Sequence, residues 1–395
     1  MSSFGNIEID TLENNMYLVK NINTSKYVKL GTKETKYLTH LIGDKGDLNI
    51  EAAEELNEEE RNYLHGKFLE WGFISDGSSQ ELKADSLGRR FKNFVKNNDL
   101  TNISVASVNP DRFLDKCMPV IKALLSPVAI IIYLLIFIFG WKALSMNYYN
   151  MNDIVFKGIS LKNAIIIYIM QVITIGFHEM GHAITCKYYG GKVRKMGIKL
   201  FFLLPAMYCD ISEIYTFKSR KKKMLVSFAG VLVNFLAANA ALIIYALLNY
   251  SLGINSAVLA IYYFVNIGLG IFNLIPFVKL DGYWILSGFA DITNFMDKSI
   301  NLLLKLTISP GEFASLKINN TRKVLMVLYG LCVCAVKPVF WAYSLYIINR
   351  YIGMVLGQKT IYLILLIAVY ILFTMCKDVI KRFKSVLNGT ANTMP

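Results

Sequence analysis

Two histidines and a glutamate occur together in the segment His178-Glu179-Met180-Gly181-His182. On an α-helix, residues four positions apart lie on one face, so both imidazoles can reach a single metal ion. The glutamate after the first histidine is placed to act as a general base on water. The surrounding stretch is apolar, a setting in which ionisable side chains are costly and usually functional. We therefore predict that His178 and His182 bind a metal and that Glu179 is catalytic; a buried, hydrogen-bonded histidine pair is the alternative.

A catalytic zinc ion needs a third protein ligand, because such sites have three protein ligands and one open position. The candidate is Asp281, in the segment 273–282 (NLIPFVKLDG). Pro276 cannot continue a regular helix, and Gly282 would allow the backbone to turn beside the carboxylate. Two imidazoles and a carboxylate suit Zn²⁺, which is the predicted cofactor. For Asp281 alone, a residue that simply begins a loop is the alternative.

The composition indicates a membrane protein. The 395 residues are 54% apolar and only 18% charged, whereas soluble domains are about a quarter charged. Residues 224–278 contain no charged side chain, which is enough for two crossings at about 20 residues each. The net charge of +14 is explained by basic cytosolic loops, so we predict no nucleic-acid partner.

Apolar runs predict a mainly α-helical membrane protein with six transmembrane helices. The predicted spans are 123–141, 163–186, two spans that divide 224–278 near 249–255, then 324–348 and 360–376. Lys and Arg cluster before the first span, between the second and third, and after the sixth. We therefore expect a multi-pass protein of the bacterial cytoplasmic membrane with both termini in the cytosol. In this topology, His178 and Asp281 both lie toward the cytosolic side.

The chain divides into three predicted regions: a soluble domain at 1–80, a basic linker at 81–117 and a membrane domain at 118–385. The soluble domain is predicted to be a small α+β, winged-helix-like cytosolic unit. Its predicted elements are strands at 16–20 and 26–30, helices at 35–42, 49–56 and 57–71, and a closing strand at 72–74.

Between the second and third spans, residues 197–204 and 208–217 are predicted to form two extended segments, whose edge could present a substrate strand. Asp210 and Glu213 are expected to be solvated or paired with the basic run 218–223. In the third span, the small residue and amide of 229–234 favour close helix packing, and support of the zinc site is the alternative.

The pair of motifs, HExxH at 178–182 and NxxPxxxLDG at 273–282, resembles the site-2 protease family of zinc intramembrane metalloproteases. The resemblance covers roughly residues 118–290. It implies that His178, His182 and Asp281 hold zinc and that Glu179 is the general base and later the proton donor. It also implies that Asn273 helps to hold the substrate strand or the developing oxyanion; an asparagine that caps the unwound turn is the alternative.

The N-terminal region resembles PqqD-like domains, which bind leader peptides in ribosomal peptide maturation. The segments that carry the resemblance are 26–38 and 69–74. It implies a precursor leader peptide as a partner. A generic cytosolic cap is the alternative.

These features predict a zinc endopeptidase that cleaves a peptide precursor or a membrane segment, with maturation of a ribosomally made peptide as one route. A second enzymatic interpretation is cleavage of a membrane-anchored regulator. The alternative of another class is a non-catalytic peptide exporter or immunity factor that keeps the metal site. Retention of Glu179 favours catalysis over that alternative.

Overall fold

The computed structural model describes most of the chain. The described residues are 2–4, 7–11, 17–21, 26–42, 56–74, 102–156, 160–201, 204–316, 318–357 and 360–387. The chain forms two compact units. One comprises Met1–Pro110 with Gly191–Lys218, and the other comprises Asp111–Gly190 with Ser219–Pro395.

The first unit begins with an antiparallel sheet in the order β1-β2-β3-β4, followed by two helices. The elements are β1 (Ser2–Phe4), β2 (Ile7–Thr11), β3 (Tyr17–Asn21), β4 (Lys26–Leu30), α1 (Thr32–Ile42) and α2 (Glu58–Trp71). Ile9 faces Val19 across the β2–β3 pair, and both are buried with Leu38 and Phe68. The sheet and the helices thus share one apolar core.

The predicted N-terminal elements are confirmed in part. Both predicted strands and the helices over 35–42 and 57–71 are present, while 49–55 lies outside the described residues. The closing strand at 72–74 is wrong. Gly72 adopts a left-handed conformation (φ 75°) that ends α2, and the N–H of Phe73 donates to the Phe68 carbonyl. This helix cap takes up the backbone groups that a strand would have needed.

A second sheet in the same unit has the order β5-β6-β7, all antiparallel. Its strands are β5 (Asn102–Val108), β6 (Met196–Phe201) and β7 (Leu204–Cys209). The predicted pair of extended segments is confirmed, but the second ends at Cys209 and Ser212–Thr216 is a 3₁₀ helix. β5 comes from the predicted linker 81–117, so the end of that stretch is ordered structure rather than a linker.

The second unit is helical. Its helices are α3 (Asp111–Lys116), α4 (Met118–Leu124), α5 (Pro127–Phe156), α6 (Leu161–Tyr188), α7 (Arg220–Leu252), α8 (Ala257–Asn273), α9 (Asp281–Ala290), α10 (Phe295–Ile308), α11 (Pro310–Ser315), α12 (Asn320–Leu356) and α13 (Thr360–Leu387). Five of those described are long and apolar enough to cross a membrane: α5, α6, α7, α12 and α13. The predicted fourth span corresponds to α8, an apolar helix of 17 residues.

Helix α7 lies at the centre of this unit and contacts α5, α6, α8 and α9. Its buried positions include small residues, such as Gly230 and Ala238, that allow neighbouring helices to approach closely. By contrast, α5 and α13 expose many large apolar side chains, as expected for surfaces that face lipid. Because α6 and α9 both pack on α7, that helix aligns the two segments that carry the predicted site.

Candidate metal and catalytic site

Three predicted ligands converge on one point in the helical unit. Nε2 of His178 lies 3.1 Å from Oδ2 of Asp281, and Nε2 of His182 lies 3.3 Å from Oδ1 of the same carboxylate. The two Nε2 atoms are 3.2 Å apart. Ligand atoms about 2.0–2.1 Å from a tetrahedral zinc ion are separated by about 3.3 Å, so these separations are comparable, although each histidine faces a different oxygen of the carboxylate.

The backbone of α6 explains why both histidines point the same way. His178 and His182 are four residues apart on a continuous helix and both are buried. Lys187, one turn beyond His182, ends the helix with ion pairs to Asp111 at 2.9 Å and Asp115 at 2.8 Å. These contacts anchor the end of α6 that carries the histidine pair.

The partners of the two Nδ1 atoms determine which ring nitrogen is available. Nδ1 of His182 lies 2.8 Å from the carbonyl oxygen of Val226, which can only accept a hydrogen bond. Nδ1 of His178 lies 3.3 Å from Oδ1 of Asn234, also an acceptor. In the neutral rings both Nδ1 atoms are therefore donors, and both Nε2 atoms present lone pairs to the centre.

With neutral rings, the groups that converge at this centre are all hydrogen-bond acceptors: the Nε2 atoms of His178 and His182 and the Asp281 carboxylate. Asp281 Oδ2 is buried, and the described part of the chain offers it no hydrogen bond of good geometry. An aspartate carboxylate accepts hydrogen bonds and donates none. Two imidazole lone pairs and an anion at these separations fit a divalent cation.

The space around the two Nε2 atoms depends on Gly230 of α7, which has no side chain. A Cβ atom on this residue would lie 2.4 Å from Nε2 of His182 and 2.6 Å from Nε2 of His178. Any side chain at position 230 would collide with the Nε2 atoms of both histidines. Two residues of α7 thus support the histidines. Gly230 leaves space for both rings, and Asn234 orients the ring of His178.

Asp281 is positioned by an irregular segment between α8 and α9. The helix ends at Asn273, as Pro276 predicts, and regular structure resumes at Asp281. The hydroxyl of Tyr329 donates to the Pro276 carbonyl at 2.6 Å, and Lys279 pairs with Asp297 at 2.9 Å. Contacts from α12 and α10 therefore fix the loop that delivers the carboxylate.

The predicted reason for Gly282 is wrong. Its φ is not positive, and it lies in the first turn of α9. A Cβ atom at this position would lie 2.2 Å from the Leu274 carbonyl oxygen. Gly282 is therefore required for close packing of α9 on the end of α8 rather than for a turn.

The two other predicted site residues are close to ligands in the sequence: Glu179 directly follows His178, and Asn273 precedes Asp281 by eight positions. Glu179 is half-buried on α6, close enough for its charge to act on His182. Asn273 is half-buried at the last residue of α8, where the backbone leaves the helix. Glu179 thus meets the first requirement for a general base, which is proximity to the metal ligands.

A polar network joins α6 to α8 one to two turns from His178. Gln171 and Asn266 exchange side-chain amide hydrogen bonds, the shorter at 3.1 Å. The hydroxyls of Thr174 and Tyr262 are also hydrogen-bonded to each other. The network holds the histidine helix against the helix that leads to Asp281.

For 229–234, helix packing was the predicted role and support of the zinc site was the alternative. The structure favours the alternative for Gly230 and Asn234, because both lie against the histidine rings. The spacing of Gly230 and Asn234, four residues apart, was the available signal. The Val226 carbonyl leaves no sequence signal, because any residue type supplies one.

Glu213 was predicted to be solvated or to pair with the basic run 218–223, and this is wrong. It forms ion pairs with Lys20 at 2.6 Å and Arg194 at 3.5 Å. Asp210 accepts hydrogen bonds from the backbone N–H and the hydroxyl of Ser212.

Comparisons with known proteins agree with this chemistry over part of the chain. Residues 165–255 match the family model described as Peptidase family M50. Over 145 residues the chain is 33% identical to the Putative peptide zinc metalloprotease protein YydH of Bacillus subtilis (strain 168). That match covers 36% of this chain and 55% of the relative, so the chain spans about half the length of the curated relative. No solved structure matches the chain significantly. The chain is therefore similar to M50 peptidases over the segment that carries the HExxH helix and the helix packed against it.

Proposed function

We propose that this chain is a zinc-dependent intramembrane endopeptidase. The observation that carries the proposal is the convergence of possible metal ligands from His178, His182 and Asp281. The charge of Glu179 acts on one of them, His182. This cluster lies among apolar helices, where an unneeded set of polar groups would be costly. The match of residues 165–255 to Peptidase family M50 supports the same activity.

Each residue of the proposed site would have a separate role in hydrolysis. His178, His182 and Asp281 hold the zinc ion, which when bound supplies a Lewis acid for water and for the scissile carbonyl. Glu179 accepts a proton from the attacking water and later donates one to the leaving amine. Asn273, at the unwound end of α8, would hold the substrate strand or the developing oxyanion.

We infer six membrane crossings, with α8 as the fourth. At 1.5 Å per residue, its 17 residues extend about 26 Å, slightly less than the bilayer core of about 30 Å. The irregular segment 274–280 would complete the crossing while it lines the cavity in which hydrolysis occurs. The basic segments, including 218–223, would lie in the cytosol of a bacterium.

For the substrate, we propose a ribosomally made peptide precursor recognised through the N-terminal region. The name of the Bacillus subtilis relative contains the words "peptide zinc metalloprotease", which supports a peptide substrate. Strand β3 of the N-terminal sheet is tied through Lys20 to Glu213, just after the β6–β7 hairpin. A leader peptide bound at the N-terminal sheet would thus be held by a unit that also contains the hairpin.

Two other functions make different predictions about Glu179. A protein that cleaves a membrane-anchored regulator would need Glu179 but would not need the N-terminal sheet for recognition. A non-catalytic exporter or immunity factor would need neither the general base nor hydrolysis. The presence of Glu179 beside the three ligands favours hydrolysis.

The test compares wild type with Glu179→Gln in cells that express each protein at equal levels. New peptide N-termini in membrane and secreted fractions are labelled and identified by mass spectrometry. We expect termini that appear only with wild type, while zinc content measured on the purified proteins is equal. Identical sets of termini would contradict the proposal. Deletion of residues 1–80 should reduce cleavage of a peptide precursor but leave cleavage of an anchored regulator unchanged.

A further inference from the structure

We propose that a groove between α5 and α7 binds an anionic phospholipid. The groove encloses about 450 Å³, within the range of small-ligand sites. It is formed by residues of the helical unit that take no part in the metal site. The inference is independent of the proposed peptidase activity.

The lining changes from apolar to polar along the groove. On α5, the lining begins with Phe139 and ends with Asn147 and Asn150, and Lys142, Ala143 and Met146 lie between them. On α7, Leu247 is followed by Asn249. Such a gradient matches a molecule that is apolar at one end and polar at the other, which is the character of a phospholipid.

The polar floor of the groove is already formed. The amide nitrogen of Asn249 donates to Oδ1 of Asn147 at 2.9 Å, and the amide nitrogen of Asn147 donates to the Ala143 carbonyl at 2.9 Å. Asn147 is buried although it belongs to a long apolar helix. A ligand would therefore meet fixed amides rather than mobile side chains.

Exposed aromatic residues place the groove at a membrane–water boundary. Trp141 is 75% exposed, Tyr149 is 85% exposed and Tyr250 is 93% exposed. Tyr and Trp are enriched at this level of membrane proteins, because each has an apolar ring and a polar atom. Tyr250 lies near the end of α7 that is remote from the basic run 218–223. A molecule in the groove would thus lie among lipid headgroups and the first carbons of their chains.

The charge of the groove determines which lipid headgroup it favours. Among the described residues that line the groove, Lys142 is the only charged one. It directly follows an uncharged stretch, 123–141, so its ammonium group would lie where that stretch meets the headgroups. A cation among amides favours a phosphate without a compensating amine, as in phosphatidylglycerol, over a zwitterionic headgroup. A free phosphate ion would satisfy Lys142 but would leave the apolar half of the groove unfilled.

The experiment measures which lipid the full-length protein retains. The protein is reconstituted in nanodiscs of phosphatidylglycerol and phosphatidylcholine in equal amounts with identical acyl chains, then released for native mass spectrometry. We expect one retained phosphatidylglycerol, favoured over phosphatidylcholine about fivefold, the factor given by one lysine near a membrane surface. Lys142→Gln should abolish the preference, whereas Lys142→Arg should keep it.

Matched controls separate this site from general surface charge. Lys122→Gln removes an exposed cation outside the groove and should leave the preference unchanged. Inorganic phosphate at millimolar concentration should not displace the lipid. Equal retention of both lipids by wild type, an unchanged preference in Lys142→Gln, an equal loss in Lys122→Gln, or displacement by phosphate would each overturn the proposal.

Discussion

Two polar clusters lie in different units of this protein, and they differ in the kinds of polar groups that they bring together. In the first unit, Glu213 meets two cations, Lys20 and Arg194, and the charges complement one another. In the helical unit, His178, His182 and Asp281 bring together three groups that all present lone pairs. The first cluster is complete as it stands, and the second requires a cation.

This difference gives a practical criterion for recognising metal sites. Ion pairs show complementary charge, whereas metal ligands show convergent acceptors whose other atoms are held by protein hydrogen bonds. At the histidine pair, the Val226 carbonyl and Asn234 hold the outer nitrogens, and in the neutral tautomers that these acceptors favour, the inner nitrogens present lone pairs.

The largest effect is expected from removal of a convergent acceptor. Asp281→Ala leaves two ligands and should reduce zinc affinity by more than about a hundredfold, because catalytic zinc needs three protein ligands. Glu213→Ala, the matched change in the complementary cluster, should leave zinc affinity unchanged. Both are measured by competition with a fluorescent zinc chelator. A similar loss of zinc in the two variants would remove the distinction.

Gly230→Ala should reduce zinc content and activity together. Its Cβ atom would lie within 2.6 Å of both Nε2 atoms, and the backbone of α7 cannot easily move away. Gly268→Ala is the control, since an added Cβ there has no neighbour within 4 Å. The control should retain zinc and gain up to about 1 kcal/mol of helix stability. Normal zinc content in Gly230→Ala would show that the rings can be displaced without cost.

Asn234→Ala should reduce zinc affinity by about 10- to 100-fold, the usual effect of removing a group that orients a metal-binding histidine. Asn234→Asp keeps an acceptor oxygen near His178 Nδ1 and should restore most of the affinity. The visible spectrum of the Co²⁺-substituted protein reports the geometry of the ligands directly. An unchanged spectrum in Asn234→Ala would assign that residue to helix packing alone.

In the complementary cluster, Lys20→Met and Glu213→Gln should each weaken the attachment of β3. Hydrogen exchange at residues 17–21 should become faster, because each change removes the partly buried ion pair between Lys20 and Glu213. The double variant should be less impaired than the sum of the single variants predicts. Strictly additive effects would mean that the pair contributes nothing to stability.

The smallest effect concerns the partly exposed ion pairs of Asp297 with Lys279 and Arg382. Burial raises the pKa of this carboxyl, but Lys279 and Arg382 outweigh it and lower the pKa below the usual 3.8. Its charge therefore stabilises the fold above about pH 4, and this contribution disappears as the pH falls through the lowered value. Asp297→Asn should lower the Tm by about 2–4 °C at pH 7 and by less at pH 3.5. An equal decrease at both pH values would mean that charge is not the cause.

The site was predictable where it depends on side-chain chemistry at fixed helical spacing. The residue types and spacing of His178, His182 and Asp281 predict a shared metal site, and the three side chains lie together. The Val226 carbonyl and the contact of Gly282 with Leu274 could not be identified, because they depend on how helices pack rather than on residue type.

The fold was predictable in the same uneven way. Long apolar runs predicted α5, α6, α7, α8, α12 and α13, and Pro276 predicted the end of α8. Strand β2 was missed although Ile7 and Ile9 alternate with Glu8 and Asp10, because so short an alternation is a weak signal for a strand. The pair of Lys20 and Glu213 joins residues 193 positions apart, and nothing in the sequence specifies such a partner.

The most direct test of the account is the metal environment of the purified full-length protein. Elemental analysis and zinc X-ray absorption spectroscopy should show one zinc ion per chain, bound by two imidazoles and oxygen at about 2.0–2.1 Å. His178→Ala should remove one imidazole contribution from that spectrum. A protein without bound zinc, or with sulfur among the ligands, would contradict the central claim that His178, His182 and Asp281 form the site.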